Sequence, residues 1–74
     1  MINSLEMMQD LYDSEINFRI DTFWDSGFDV YLGDKLNGYV ANTNVDTWTE
    51  AVEYLRVKAI EYWPQSEFAK RYSD

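Results

Sequence analysis

The side chains here with most potential for chemistry are carboxylates, and Asp21, Asp25 and Asp29 fall close together around one short turn. Paired carboxylates can act as general acid and general base, as they do in glycoside hydrolysis. That chemistry needs a cleft deep enough to hold a sugar and to raise one pKa, for which a 74-residue chain of short elements has no volume. The sequence has no His and no Cys. Their absence removes the commonest general base, the thiolate nucleophile and the usual zinc ligands together. Neither the segment from Asp21 to Asp25 nor that from Asp29 to Asp34 has the D-x-D-x-D-G spacing of a calcium loop. Gly27, Gly33 and Gly38 each stand at a turn, so none belongs to a phosphate-cradling loop. The expectation is a non-catalytic protein with no metal and no cofactor.

A charged surface remains. Fourteen acidic residues against six basic ones give a net charge of −8, which argues against nucleic acid as a direct ligand and for a basic protein surface as the partner. The charge is segregated, because residues 1–34 hold eight acidic side chains against Arg19 alone. Alternation along a hairpin predicts Asp21, Asp29, Phe23 and Tyr31 on one outward face with Arg19. Asp25 and Asp34 rim the turns, and Asp10, Asp13 and Glu15 extend the set from the first helix. Carboxylates two residues apart on a strand stand about 7 Å apart, similar to successive phosphates on a nucleic-acid strand. Taken singly, Asp25 and Asp34 are ordinary turn formers, and Asp10 and Asp13 solvate a helix. It is as a set that they suggest a mimic of DNA or RNA, with Phe23 and Tyr31 as aromatic anchors.

The elements that must position these residues can be read from pattern. Asn3 caps a helix over residues 4–13 with Glu6 three residues on, and Ile2 and Met7 stand where a hydrophobic staple would place them. Its expected apolar stripe is Leu5, Met8, Leu11 and Tyr12, with Glu6, Gln9, Asp10 and Asp13 towards solvent. From Glu15 to Trp24 the period is two, with Ile16, Phe18, Ile20, Thr22 and Trp24 on one face. The Asp25-Ser26-Gly27 turn follows, and then Phe28, Val30 and Leu32 point inward. A third strand, Tyr39 to Asn42, is expected at a sheet edge. Thr47 and Glu50 then open a second helix buried through Trp48, Ala51, Val52, Leu55 and Ala59. Pro64 stops that helix, and Ser66 caps a last turn pinned by Phe68, Ala69 and Tyr72. The fold class is α+β: α-β-β-β-α, one domain, a three-stranded antiparallel sheet with helices on one face and a short C-terminal helical turn. With three Trp, six Tyr and four Phe and no disulfide, aromatic packing is expected to stabilise the core, Trp24, Trp48 and Trp63 included. The lack of thiols and of a basic n-region at the start points to the cytoplasm. No apolar run reaches membrane length.

The stretch from Gly27 to Gly38, the helix from Thr47 to Leu55 and the segment from Pro64 to Lys70 resemble small acidic proteins of prophages and other mobile elements. In size, acidity and α/β economy the chain also resembles type I anti-CRISPR proteins. That resemblance implies a phage-encoded inhibitor, cytoplasmic in an infected or lysogenic bacterium, and the net charge of −8 predicts a monomer when free. It would bind a basic nucleic-acid-binding surface of a CRISPR effector complex, on a Cas subunit, and exclude DNA by competition. Anti-CRISPRs share no common motif, so no residue role is carried over. The alternative is a structural or adaptor protein that associates homotypically or with another protein through an aromatic edge near Tyr39, Tyr62, Trp63 and Tyr72.

Overall fold

A computed structural model describes residues 3–73. The order is α1 (Ser4–Asp13), β1 (Phe18–Phe23), β2 (Gly27–Asp34), β3 (Gly38–Val45), α2 (Trp48–Tyr62) and α3 (Glu67–Tyr72). The strands form one antiparallel sheet in the order β1-β2-β3, so the expected α+β class holds and β3 lies at an edge. Helix α2 packs on β2 and β3, and α1 and α3 flank it.

Helix α1 begins as its sequence dictates, since the Asn3 side chain accepts hydrogen bonds from the Leu5 and Glu6 amides at 2.9 and 3.2 Å. The staple partner Ile2 lies outside the described residues. The buried face differs from expectation: Met7 and Leu11 are buried and Met8 packs beside them, whereas Leu5 and Tyr12 are exposed. The helix packs on α2, and its C-terminal half is tied to α3 by side-chain hydrogen bonds. There Asp10, expected in solvent, accepts hydrogen bonds from the Tyr72 hydroxyl and from Arg71. An isolated helix carries no record of which neighbour will need its carboxylate.

The exit from α1 is a Schellman turn. Ile16 donates its amide to the Leu11 carbonyl at 3.0 Å and Glu15 donates to Tyr12 at 3.0 Å, with Leu11 and Ile16 both buried. The residue that must adopt the left-handed conformation is Glu15, at φ 62°. Glycine normally fills this position, because a side chain there costs roughly 1–2 kcal/mol. Glu15→Gly is therefore expected to raise stability by about 1 kcal/mol, after the greater unfolded-state freedom of glycine is subtracted. Urea denaturation measures this, and a lower midpoint would contradict it.

Strand β1 is shorter than the period-two pattern because Glu15 serves the helix cap and Trp24 enters the turn. Strand β3 is longer than expected, since Thr43 and Val45 continue the inward alternation opposite Val30 and Phe28. Between Leu32↔Ala41 and Gly33↔Tyr39 the register slips, leaving Val40 as an extra residue. The bulge turns Tyr39 to the outer face, where its ring lies 5.2 Å from that of Tyr31. Only glycine fits opposite it, for a Cβ on Gly33 (φ 115°) would stand 2.5 Å from the Gly38 carbonyl oxygen and 2.9 Å from the Tyr39 Cα.

Helix α2 carries the predicted capping pair, with the Glu50 amide donating to Thr47 Oγ1 at 3.1 Å and the Thr47 hydroxyl donating to the Glu50 carboxylate at 3.1 Å. It ends at Tyr62, two residues before Pro64. Ser66 caps α3 by accepting from the Ala69 amide at 3.0 Å. The core is aliphatic: Met7, Leu11, Ile16, Val30, Leu32, Ala51, Val52, Leu55 and Ala59 close around a single buried aromatic residue, Phe68. Expected aromatic packing is thus corrected. Phe18, Phe28, Tyr54, Trp63 and Tyr72 pack partly buried against this core, whereas Tyr12, Phe23, Trp24, Trp48 and Tyr62 are exposed.

Tyr72 ties α3 to α1 through its hydrogen bond to Asp10. Burial, and then that bond, pushes its phenol up from an ordinary value of 10.0 to about 12. A folded-state pKa above the unfolded one means that the contribution is whole below pH 10 and is lost as pH rises towards 12. The urea midpoint should fall across that window in the native protein and less steeply in Tyr72→Phe; equal slopes would contradict the assignment.

Candidate functional site

The nine residues expected to bind a partner fall into separate groups. Asp21, Asp29 and Tyr31 share the outer sheet face, as alternation predicts, with Arg19 among them. Arg19 is fully engaged: it pairs with Asp21 at 2.8 Å, lies 5.2 Å from the centre of the Tyr31 ring and reaches the Tyr39 hydroxyl at 3.5 Å. Its guanidinium is held above its usual range by the hydrogen bonds to Tyr39 and Asp21. Asp29 stands directly across from Asp21 and accepts from the Asn44 side-chain Nδ2 at 2.8 Å. The outer face is therefore a mixed-charge surface, not an uninterrupted row of carboxylates.

Asp34 and Glu15 lie at the far end of the sheet from the β1–β2 turn. They line a cleft of about 400 Å³ that also includes Asn17, Asn37, Val40 and Trp63. Asp34 closes the β2–β3 turn by accepting from the Asn37 amide at 2.7 Å and from the Asn17 side chain at 2.8 Å. These hydrogen bonds, the Asn37 backbone foremost, hold its carboxyl below the usual range. Such a carboxylate is a poor proton donor near neutral pH. Asp10 and Asp13 lie apart from the sheet's outer face, beside Glu67, Lys70 and Arg71 of α3, and Asp13 accepts from Gln9 at 3.0 Å.

Phe23 and Asp25 occupy the opposite end, with neighbours the sequence reading placed in the core. The β1–β2 connection is closed by the Ser26 amide donating to the Phe23 carbonyl at 2.8 Å, with Asp25 at φ 70°. Positive φ at the third position of such a turn suits Asp better than most residues. The turn throws Trp24 outward to 87% exposure, next to Phe23 at 75%. Trp48, at the first position of α2, is 53% exposed and meets Phe28 edge to face with ring centres 4.8 Å apart. Of the three tryptophans only Trp63 packs against the core, as expected.

Two clefts meet at Trp48. One, of about 280 Å³, lies between the N-terminal turns of α1 and α2 and is lined by Leu5, Met8 and Val52. The other, of about 590 Å³, lies under the β1–β2 turn and is lined by Phe23, Trp24, Phe28, Asp25 and Asp46. No basic residue lines either cleft. The chain's own cations are engaged elsewhere, in the pairs Arg19–Asp21, Arg56–Glu53, Lys58–Glu61, Lys70–Glu67 and Arg71–Asp10, while Lys35 sits in the β2–β3 turn. The molecule thus has an aromatic end whose only charged rim is acidic. Sequence reasoning missed Trp24 and Trp48. The available signal was their position, since each stands at a boundary of an element, where neighbours cover only one side.

The residues of the suggested aromatic edge are likewise dispersed. Tyr39 is on the outer sheet face, Tyr72 packs on Phe68 with ring centres 4.6 Å apart, and Tyr62 lies beside Trp63 at 6.4 Å. Among the described residues no cluster of His, Cys, Asp or Glu is arranged to hold a metal ion, and no helix is long and apolar enough to cross a membrane. Compared with known proteins, the chain matches no family model, no curated protein and no solved structure.

Proposed function

We propose that this chain is a non-catalytic inhibitor that docks its acidic aromatic end on the basic nucleic-acid-binding surface of a protein complex and so excludes DNA or RNA. The observation that carries this reading is the exposed group Phe23, Trp24 and Trp48, rimmed by Asp25 and Asp46 with no base among them. Exposed tryptophan is the residue type most enriched in binding hot spots, and a carboxylate rim on a chain of net charge −8 steers it towards a basic surface. Asp29, also at this end of the sheet, adds charge; Asp21 is neutralised by Arg19 and contributes little. The resemblance to type I anti-CRISPR proteins makes the effector complex of a type I CRISPR system the specific target, reached by the free monomer in the bacterial cytoplasm.

Fluorescence anisotropy of a labelled target duplex on a purified type I effector complex tests the proposal. Added protein should displace the duplex, and its potency should fall as salt rises, because charge steering is screened beyond about 8 Å at physiological ionic strength. Unchanged DNA binding in the presence of excess protein would refute the reading.

One observation favours a second reading, homotypic association. Strand β3 is an open edge eight residues long that carries no charged side chain, whereas the other edge, β1, carries Arg19 and Asp21. Uncharged edges are templates for pairing with another chain. Sedimentation separates the readings, since pairing through β3 gives a dimer and the inhibitor reading gives a monomer kept apart by its own charge.

A further inference from the structure

We propose that the cleft under the β1–β2 turn is a receptor for one cationic side chain of the partner, arginine in preference to lysine. The inference rests on the reading that a basic surface docks at this end, and it names the group recognised there. Three features of the cleft suit a guanidinium. It is lined by Phe23, Trp24, Phe28 and Trp48, and the face of an aromatic ring carries the negative part of its quadrupole. Its rim supplies Asp25 and Asp46, two carboxylates that have no ion pair within the described residues. The positive end of α2, which would otherwise attract an anion here, is already answered by Thr47 and Glu50.

The molecule treats its own cations in the same way. Arg19 lies over Tyr31 at 5.2 Å with Asp21 beside it, Lys58 over Tyr54 at 6.0 Å with Glu61, and Arg71 over Tyr72 at 6.0 Å with Asp10. Each combines an aromatic face with a carboxylate. Under the β1–β2 turn the same two components recur, in greater number, with no cation of the chain's own between them. A neutral apolar group would leave the carboxylates unanswered, and an anion would be repelled. Arginine is preferred because its guanidinium is planar, stacks on aromatic faces and is more weakly hydrated than an ammonium.

The test is an NMR titration of the intact, nitrogen-15-labelled protein with N-acetyl-arginine amide, with the uncharged isostere N-acetyl-citrulline amide as control, read at the indole N–H signals. Trp24 and Trp48 should shift in a saturable way while Trp63, at the other end, stays still. Citrulline should bind about tenfold more weakly. Asp25→Asn and Asp46→Asn should each weaken arginine binding several-fold while leaving the spectrum otherwise native. Equal responses to arginine and citrulline, equal shifts at all three indoles, or no saturable shift at Trp24 and Trp48 would each overturn the proposal. The outcomes are separable from the wider reading. Arginine bound in the cleft without displacement of DNA from the effector would remove the inhibitor reading alone, and displacement without an arginine response would remove the cleft alone.

Discussion

Replacing Phe68 with alanine is expected to cost about 3–5 kcal/mol, the usual range for truncating a buried phenylalanine. A domain of 74 residues has a total stability of only about 4–11 kcal/mol, so the variant should be largely unfolded at physiological temperature or melt well below the native protein. Phe68 is the one ring enclosed by the core, and it arrives on a helix of six residues that could not persist alone. Its loss should also undock α3 and with it the Tyr72–Asp10 contact. Calorimetry or urea denaturation reads the effect. A loss below about 1 kcal/mol would mean that α3 is not part of the cooperative unit.

Replacing Trp24 with alanine should have the opposite profile. The side chain is 87% exposed, so stability should change by no more than about 0.5 kcal/mol. Affinity for the basic partner should fall about 30-fold or more, the effect of losing a hot-spot anchor worth at least 2 kcal/mol. Asp25→Lys at the same turn should act differently, slowing association and reducing the salt dependence, because it alters steering more than contact. If Trp24→Ala binds as the native protein does, the aromatic end is not the docking surface. The two alanine variants together separate residues that build the fold from residues held out of it.

Much of the fold was legible because its signals are local. The Asn3, Thr47 and Ser66 caps, a β1–β2 turn through Asp25 and Ser26 and the inward set Phe28, Val30 and Leu32 each depend on residues a few positions apart. The errors lie where a distant element decides. Asp10, expected in solvent, is instead held by Tyr72 and Arg71 of α3. The place of Tyr39 depended on a bulge whose cause is Gly33 on the neighbouring strand. Burial of Trp24 and Trp48 was expected from their size, yet both stand at element ends that nothing covers. The expected site was legible as a composition and not as a shape. Alternation correctly put Asp21, Asp29 and Tyr31 on one face, but it could not show that Arg19 neutralises Asp21. Nor could it show that Asp10, Asp13, Glu15 and Asp34 lie elsewhere on the molecule.

One feature of the charge distribution fits the docking end proposed above. Five of the six basic residues are occupied in internal pairs, which leaves the aromatic end purely acidic in its rim.

The central claim is that a basic partner covers the end of the molecule built from the β1–β2 turn and the start of α2. Hydrogen exchange of the protein, free and bound to a purified type I effector complex, tests it most directly. Exchange should slow in residues 22–29 and 45–52 and stay unchanged in residues 34–39 and 64–73. Protection confined to the β2–β3 turn and α3, with the aromatic end exchanging as in the free protein, would contradict it.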